Sequence, residues 1–327
     1  MSLSSYADSN DGEFKRKESL YRRFISRQPG AEFPPEKGRY HLYIAYACPW
    51  ASRCYAFMKL KGLEDVIGLT VVNPLLERTK EGDDHYGWVF PKTENEVPGA
   101  QPDPLYGARS IRELYDMANP NPNYTGRYSV PVLWDKKKKT IVNNESSEII
   151  KMFNDEFNNY AKHPHVNLYP PHLKSNMEQV NSWTYNSINN GVYRCGLATK
   201  QKPYEEAVAE LFAALDRCED ILSKQRYIAG SELTESDVRL FVTLVRFDEV
   251  YYVHFKCNKR LIHQYPNLFN YTKDVYQTDS IADTVNMFHI KQHYYRSLLA
   301  INPHGIVPVG PNIDFSTKHD RYRFKSG

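Results

Sequence analysis

The sequence predicts an α/β domain followed by an all-α domain. Residues 40–153 alternate between short apolar runs that favour strands and amphipathic runs that favour helices. From about residue 171 onward the apolar periodicity is helical, with few glycine or proline breakers. At 327 residues the chain is long enough for two domains. Its 41% hydrophobic and 25% charged residues are typical of a globular protein.

A polar arm, residues 1–38, precedes the first domain, and we expect it to be extended with one short helix around Phe24. The pattern then predicts a parallel βαβ unit, an irregular insertion from Asn73 to Tyr106, and an αββα unit. In residue numbers, these elements are a strand over 40–45, a helix over 50–60, a strand over 66–72, a helix near 110–117, strands over 130–134 and 140–142, and a helix from 146. This order is that of thioredoxin-like domains.

The second half of the chain is predicted to be all-helical, with long helices over 176–188, 204–222 and 235–247. Thr234 and Asp237 fit a capping box at the start of the last of these helices. We interpret this motif as structural and not catalytic. The predicted organisation is an N-terminal extension (1–38), a thioredoxin-like domain (39–160), an all-helical domain (161–310) and a C-terminal tail (311–327).

Cys48 is the candidate catalytic residue, because it lies between the first strand and the first helix. Backbone N–H groups and the positive dipole end at a helix N-terminus favour the thiolate over the thiol. A dithiol motif would place its second cysteine at position 51, which is Ala51. Any disulfide chemistry therefore needs a thiol from outside the motif. A buried structural cysteine is the alternative, and the strand–Cys-Pro–helix context favours the reactive one.

Charge and cysteine content exclude several functions. The net charge of +3, from 42 basic and 39 acidic residues, is too balanced to indicate nucleic-acid binding. The five cysteines are odd in number and widely spaced, which fits neither a disulfide framework nor a metal cluster and favours a reducing compartment, the cytoplasm. The sequence has no apolar signal core and no run long enough to span a membrane. We expect no metal, no membrane partner and no nucleic acid.

Seven separated motifs within residues 40–310 carry a family resemblance. They are Ala47-Cys48-Pro49-Trp50-Ala51; Gly87-Trp88-Val89-Phe90; Val130-Pro131-Val132-Leu133-Trp134-Asp135; residues 141–150 around Asn144-Glu145-Ser146; Ser187-Ile188-Asn189-Asn190-Gly191-Val192-Tyr193; Arg246-Phe247-Asp248; and residues 289–294 with 301–308. Together they resemble the Xi class of glutathione transferases, the glutathionyl-hydroquinone reductases, which are related to the Omega class. The resemblance implies a thioredoxin-like glutathione-binding domain, an all-helical glutathione-transferase C-terminal domain and a homodimer.

The resemblance also implies a glutathione site in the first domain, with glutathione as co-substrate. Trp88 would lie over the bound tripeptide. Val130 would pair its backbone with the cysteinyl part, next to a cis bond at Pro131. Glu145 and Ser146, at a helix start, would bind the γ-glutamyl ammonium and carboxylate groups. For the last two residues a plain helix cap is the alternative, and both interpretations can hold together.

The implied reaction removes glutathione from a glutathionyl-hydroquinone through a Cys48–glutathione mixed disulfide. Tyr193 and Tyr294 would hold the quinol ring and its oxygen, and His293 is a further candidate acid or base. Cys54 should point to another face of its helix, so we do not assign it as a resolving thiol, and the place of Cys195 stays open. The alternatives are an Omega-type thioltransferase or dehydroascorbate reductase, and a non-catalytic carrier of glutathione or hydrophobic molecules.

Overall fold

The computed structural model describes residues 11–119, 124 and 126–324. The first ten residues of the predicted arm and the last three of the predicted tail lie outside them. The chain forms two compact units. The first unit comprises the described parts of residues 17–166 together with residues 283–297, and the second comprises the described parts of residues 1–16, 167–282 and 298–327. No helix among the described residues is long and apolar enough to cross a membrane.

The first unit contains a four-stranded mixed sheet of order β2-β1-β5-β6. Its strands are β1 (Tyr40–Ile44), β2 (Gly68–Val71), β5 (Val132–Asp135) and β6 (Thr140–Asn143), and the insertion adds a two-stranded sheet of β3 (Leu76–Arg78) and β4 (Tyr86–Trp88). β1 is parallel to β2 and antiparallel to β5. Every residue of β1 and β5 is buried, as expected for central strands covered on both faces. The predicted thioredoxin-like order is confirmed.

Among its described residues, this unit has four α-helices. They are α1 (Pro49–Lys61), α2 (Ile111–Ala118), α3 (Ser146–Asp155) and, from much later in the chain, α10 (Met287–Ser297). Ser110 caps α2 with its hydroxyl, which accepts a hydrogen bond from the Glu113 N–H at 3.4 Å. α1 packs against α3, so the starts of these two helices lie in the same layer.

Two details of the first unit correct the sequence prediction. The segment around Phe24 is not helical, because its backbone pairs with the edge strand β6. Arg22 forms a bridge to Asn143, and the Arg23 N–H donates to the Val142 carbonyl at 3.1 Å. The insertion is also less irregular than expected, because β3 and β4 pair antiparallel within it.

The second unit has no strand among its described residues. Its helices are α4 (Lys174–Thr184), α5 (Gly191–Gly196), α6 (Gln201–Lys224), α7 (Glu235–Arg246), α8 (Tyr252–His254) and α9 (Pro266–Tyr276). Single π-helical turns over Tyr185–Asn189 and Phe247–Tyr251 follow α4 and α7. The prediction of an all-helical second half is confirmed, with helix ends displaced by a few residues.

The capping box at the start of α7 is present. Thr234 donates to the Asp237 carboxylate from both its N–H and its hydroxyl, each at 2.8 Å. The same carboxylate accepts from the Ile228 N–H at 2.8 Å and from the Tyr271 hydroxyl at 2.9 Å. Because both Thr234 and Asp237 are fully buried, this motif joins elements of the helical core.

Candidate active site

Cys48 occupies the N-cap position of α1, directly before Pro49. Its backbone is extended, with φ −77° and ψ 115°, and its carbonyl accepts the Ser52 N–H at 2.9 Å. Cys48 is half-buried, whereas the other four cysteines are buried. Free N–H groups at a helix start stabilise a thiolate. The fold therefore places the most accessible of the five thiols where a nucleophilic thiolate is favoured.

The loop before β5 lies next to this thiol. The Cys48 Sγ is 3.5 Å from the Val130 carbonyl oxygen, and the Val130–Pro131 peptide bond is cis, as predicted. Both residues are buried. The fold thus places Cys48 beside Val130, 82 positions later in the chain, and beside Pro131. These are three of the residues that the sequence predicted to act together.

Glu145 is the N-cap residue of α3. Its carboxylate accepts from the Ser147 N–H at 3.0 Å, from the Ser147 hydroxyl at 2.9 Å and from the Ser19 hydroxyl at 3.1 Å. Burial raises the pKa of Glu145, but the hydrogen bonds from Ser147 and Ser19 and the charge of Arg53 together outweigh it, so the pKa lies below its ordinary value. An ionised carboxylate at this position suits an ammonium group, and it also caps the helix.

Ser146 is buried at the first position of α3. Its carbonyl oxygen lies 3.7 Å from the Cys54 Sγ. Cys54 is fully buried against α3, and this burial raises its pKa well above the ordinary value. A protonated, inaccessible thiol is a poor nucleophile, which agrees with leaving Cys54 out of the reaction.

Trp88, the last residue of β4, stacks on His293 of α10, with ring centroids 4.6 Å apart and planes inclined by 25°. The His293 Nδ1 lies 3.1 Å from the Pro74 carbonyl oxygen, so this nitrogen carries the proton and donates it. His293 therefore touches both the beginning of the insertion and the tryptophan at the end of β4. From the sequence this histidine is only a candidate acid or base, and nothing in the sequence predicts its contact with Trp88.

His293 is one of several residues that join α10 to the insertion. One turn earlier, His289 Nε2 lies 2.7 Å from the Pro98 carbonyl oxygen, and one turn later the Ser297 hydroxyl accepts the Leu76 N–H at 3.0 Å. The spacing of four between these residues is the only sequence signal for this face. Tyr294, beside His293, is 1% exposed.

Tyr193 lies on α5 in the helical unit. Its ring is surrounded by aromatic neighbours, with centroids at 5.4 Å for Phe255, 6.1 Å for Tyr251 and 6.2 Å for Phe14. Its role at the electrophile pocket stays a prediction, as does that of Tyr294.

Cys195 and Cys257 are hydrogen-bonded to each other in the helical unit, and both are buried. Burial, with the Cys195 thiol alongside, raises the pKa of Cys257 well above its ordinary value.

Among the residues that the structure describes, no group of three or more His, Cys, Asp and Glu side chains is arranged to hold a metal ion.

Comparison with known families shows to which family this chain belongs. The model of the glutathione S-transferase N-terminal domain matches residues 47–156, and that of the glutathione S-transferase C-terminal domain matches residues 201–274. The chain belongs to the glutathione S-transferase family. The N-terminal match begins one residue before Cys48 and includes the Val130–Pro131 bond and the start of α3.

Individual relatives narrow the class of this glutathione transferase. Glutathionyl-hydroquinone reductase YqjG of Escherichia coli (strain K12) is 46% identical over 96% of this chain and 93% of its own. The glutathione-bound structure of YqjG gives a TM-score of 0.86 and covers 96% of this chain and 99% of that one. The Xi glutathione transferase of Phanerochaete chrysosporium is 50% identical, with a TM-score of 0.85 over 91% of this chain and 98% of that one. Glutathione S-transferase omega-like 2 of Schizosaccharomyces pombe is 46% identical over 94% of this chain and 96% of its own. The predicted resemblance to the Xi class is confirmed.

Proposed function

We propose that this glutathione transferase is a glutathionyl-hydroquinone reductase that works through Cys48. The observation that carries the proposal is the half-buried thiol at the N-cap of α1, 3.5 Å from the Val130 carbonyl, with Ala51 at the resolving position. A serine or tyrosine hydroxyl would activate glutathione for conjugation without forming a disulfide, whereas a cysteine favours thiol–disulfide exchange. The similarity to YqjG, named glutathionyl-hydroquinone reductase, points to the substrate class.

The reaction has two steps in which atoms and charges balance. The Cys48 thiolate attacks the glutathionyl sulfur, the bond from sulfur to the ring carbon breaks, and its electron pair stays with the ring. The ring carbon takes up a proton, so hydroquinone leaves and a Cys48–glutathione mixed disulfide remains. A second glutathione thiolate attacks the glutathionyl sulfur of this disulfide, which frees the Cys48 thiolate and releases oxidised glutathione.

We assign the glutathione contacts by the chemistry of the first unit. Glu145, held ionised by its hydrogen bonds, suits the γ-glutamyl ammonium, and the N-terminus of α3 at Ser146 suits the carboxylate. The Val130 backbone beside Cys48 suits the cysteinyl part, and Trp88 is assigned as a cover for the tripeptide. For the quinol we assign the phenols of Tyr193 and Tyr294.

Substrate preference separates this function from its rivals. An Omega-type enzyme would share Cys48 and glutathione, and one relative carries an omega-like name. Purified protein should therefore be assayed with a glutathionyl-hydroquinone, with dehydroascorbate and with a small glutathione mixed disulfide. We expect the highest kcat/KM for the glutathionyl-hydroquinone. A preference for dehydroascorbate or for the small disulfide would favour the Omega-type function, and no turnover of any substrate would favour a carrier.

The cellular setting is part of the proposal. We infer a cytoplasmic enzyme, because none of the five cysteines, all of which the structure describes, forms a disulfide, and a reducing compartment would keep the Cys48 thiol reduced. We also infer a homodimer, on the family resemblance. Size-exclusion chromatography with light scattering would measure the oligomeric state. A monomer would contradict the inferred homodimer.

A further inference from the structure

The N-terminal arm contacts Glu145 at the start of α3. The Ser19 hydroxyl donates to the Glu145 Oε2 at 3.1 Å, and the Asn144 carbonyl oxygen lies 3.3 Å from the same hydroxyl. A serine hydroxyl has one hydrogen, so the shorter, charge-assisted bond to the carboxylate is favoured. Ser19 and Glu145 both belong to the first unit, although 126 positions separate them in the sequence. The arm thus supplies a donor to the residue that we assign to the γ-glutamyl ammonium.

The segment that follows Ser19 fixes the arm at this place. The Tyr21 N–H donates to the Asn144 Oδ1 at 3.1 Å, and the Tyr21 carbonyl accepts the Asn144 N–H at 3.1 Å. Asn144 is buried, and its side-chain amide donates to the Tyr115 hydroxyl at 2.8 Å. Ser19 therefore lies two residues before a paired stretch of backbone, and its position does not depend on its own contact with Glu145.

Two serines hold the Glu145 carboxylate by its two oxygens. Oε1 accepts from the N–H and the hydroxyl of Ser147 on α3, whereas Oε2 accepts from Ser19 of the arm. The last torsion of a glutamate side chain is broad, so donors on both oxygens are what fixes the plane of its carboxylate. Glu145 is only partly buried, which leaves it accessible to a ligand.

We propose that Ser19 is a positioning residue of the glutathione site, which orients the Glu145 carboxylate toward the ammonium group of the γ-glutamyl part. The proposal rests on the proposed function, because it takes Glu145 as the residue that binds this ammonium. A carboxylate that is already held in one plane loses less freedom when it binds an ammonium, so its affinity is higher. Ser19 takes no part in the two exchange steps at Cys48.

The test compares two ligands that differ only in the amino group, reduced glutathione and glutaryl-cysteinylglycine, the same tripeptide without that group. The measured quantity is the ratio of Kd for the analogue to Kd for glutathione, from isothermal titration calorimetry on the full chain under reducing conditions. We expect the parent to bind glutathione more tightly and Ser19→Ala to lose about 3- to 10-fold of that preference, the size of one hydrogen bond. Ser19→Thr should retain most of the preference, because it keeps the hydroxyl.

A second background tests whether Ser19 acts through Glu145. Glu145→Gln should itself reduce the preference, since a neutral amide attracts an ammonium less than a carboxylate does. Adding Ser19→Ala to Glu145→Gln should then reduce the ratio no further, because the effects of two residues that act as one unit are not additive.

Ser26→Ala is the matched control, because the Ser26 hydroxyl accepts the Gln28 N–H at 3.2 Å within a turn of the same arm. It should leave the ratio unchanged, and melting curves should show that all variants are folded. An unchanged ratio in Ser19→Ala would overturn the proposal, and so would equal weakening of both ligands, which is the effect of a serine that only holds the arm in place.

A shift of the same size in Ser26→Ala, or a further fall when Ser19→Ala is added to Glu145→Gln, would also overturn the proposal. Equal affinity of the parent for both ligands, or an unchanged ratio in Glu145→Gln, would instead contradict the assignment of Glu145 in the proposed function, and the role of Ser19 would fall with it.

Discussion

At the scale of single residues, burial separates Cys48, the proposed nucleophile, from the other four cysteines. Cys48 and Cys54 are both on α1, yet only Cys48 is at its N-terminus and partly exposed. The Cys54 thiol is buried, and its raised pKa keeps it protonated. Position on the helix therefore decides reactivity, because a thiolate needs both stabilising N–H groups and access for a second thiol.

We predict that oxidised glutathione adds one reducible glutathione to the parent protein, at Cys48. Cys48→Ser should lose this adduct and all reductase activity, because a serine hydroxyl is a weak nucleophile near neutral pH and forms no disulfide. Intact-mass analysis with peptide mapping measures the adduct, and Cys54→Ala serves as the control that should behave like the parent. An adduct that maps to Cys54 or Cys195, or full turnover in Cys48→Ser, would rule out the covalent mechanism.

His293 makes two different contacts, and two substitutions separate them. His293→Asn keeps a donor for the Pro74 carbonyl but loses the ring stacked on Trp88, whereas His293→Phe keeps a ring and loses the donor. If the stack positions Trp88 over glutathione, His293→Asn should raise KM for glutathione by about 2- to 10-fold, the worth of one aromatic pair, with little change in kcat. His293→Phe should stay near the parent value.

Steady-state kinetics and tryptophan fluorescence would measure this effect, with Ser297→Ala as a control on the same face of α10. A fall in kcat at unchanged KM, common to both His293 variants, would argue against the positioning role and in favour of an acid–base one.

At the scale of elements, three helix starts use similar chemistry for different purposes. α1 begins at a half-buried cysteine, α3 at Glu145, and α7 at the fully buried Thr234. Each N-terminus stabilises an electron-rich group, since its first N–H groups lack partners within the helix. The helix starts at Cys48 and Glu145, which we assign to glutathione chemistry, are partly exposed. The helix start at Thr234 is buried and only connects elements of the core.

Thr234→Ala should destabilise the protein without affecting catalysis. We expect a loss of about 0.5–2 kcal/mol in the free energy of unfolding, because the cap is removed and the buried Asp237 carboxylate loses one of its donors. Chemical denaturation measures the loss, and the exposed Ser231→Ala in the same loop is the control. A large loss of kcat in a fully folded Thr234→Ala protein would show that α7 has a catalytic role.

At the scale of the whole molecule, both units are assembled from distant pieces of chain. α10 completes the thioredoxin-like unit, although residues 167–282 of the helical unit separate the two in sequence. Residues 11–16 belong to the helical unit, although the chain from residue 17 onward belongs to the unit that contains the sheet. The stability of each unit therefore depends on segments that a linear division of the chain would assign elsewhere.

Stability should fall in mild acid, because several histidines are buried in the neutral form. Burial lowers the pKa of His41 from 6.5 to about 4, and burial also lowers the pKa values of His85, His289 and His319. Between pH 6.5 and 4 the unfolded chain takes up protons that the native protein does not, so falling pH favours unfolding. The contribution of His41 alone is about 3 kcal/mol across this range.

Asp237 has the opposite effect on how stability depends on pH. Burial raises the pKa of Asp237 to about 6, so its contribution to stability increases as pH falls. The four histidines should outweigh it. Urea unfolding at a series of pH values measures the net slope, which should be smaller in His41→Phe than in the parent. A free energy of unfolding that stays constant from pH 6.5 to 4 would contradict the prediction.

Features that depend on neighbouring residues were predictable from the sequence. The strand–Cys-Pro–helix junction at Cys48, the order of the sheet elements and the Thr234–Asp237 capping box follow from periodicity and from hydrogen bonds within a few residues. The helix expected around Phe24 failed for the opposite reason. Its backbone groups are taken by β6, more than a hundred residues away, and local propensity is too weak to resist such pairing.

Tertiary structure alone decided which distant side chains meet. His293 and Pro74 are 219 positions apart, and Arg16 and Asn190 are 174 apart. Neither pair leaves a periodic signal, because each contact arises only when packed helices and loops bury their apolar faces and bring the remaining polar atoms together. The contact of His293 with Trp88 therefore comes from packing geometry, while Cys48, the proposed nucleophile, was predictable from the local sequence.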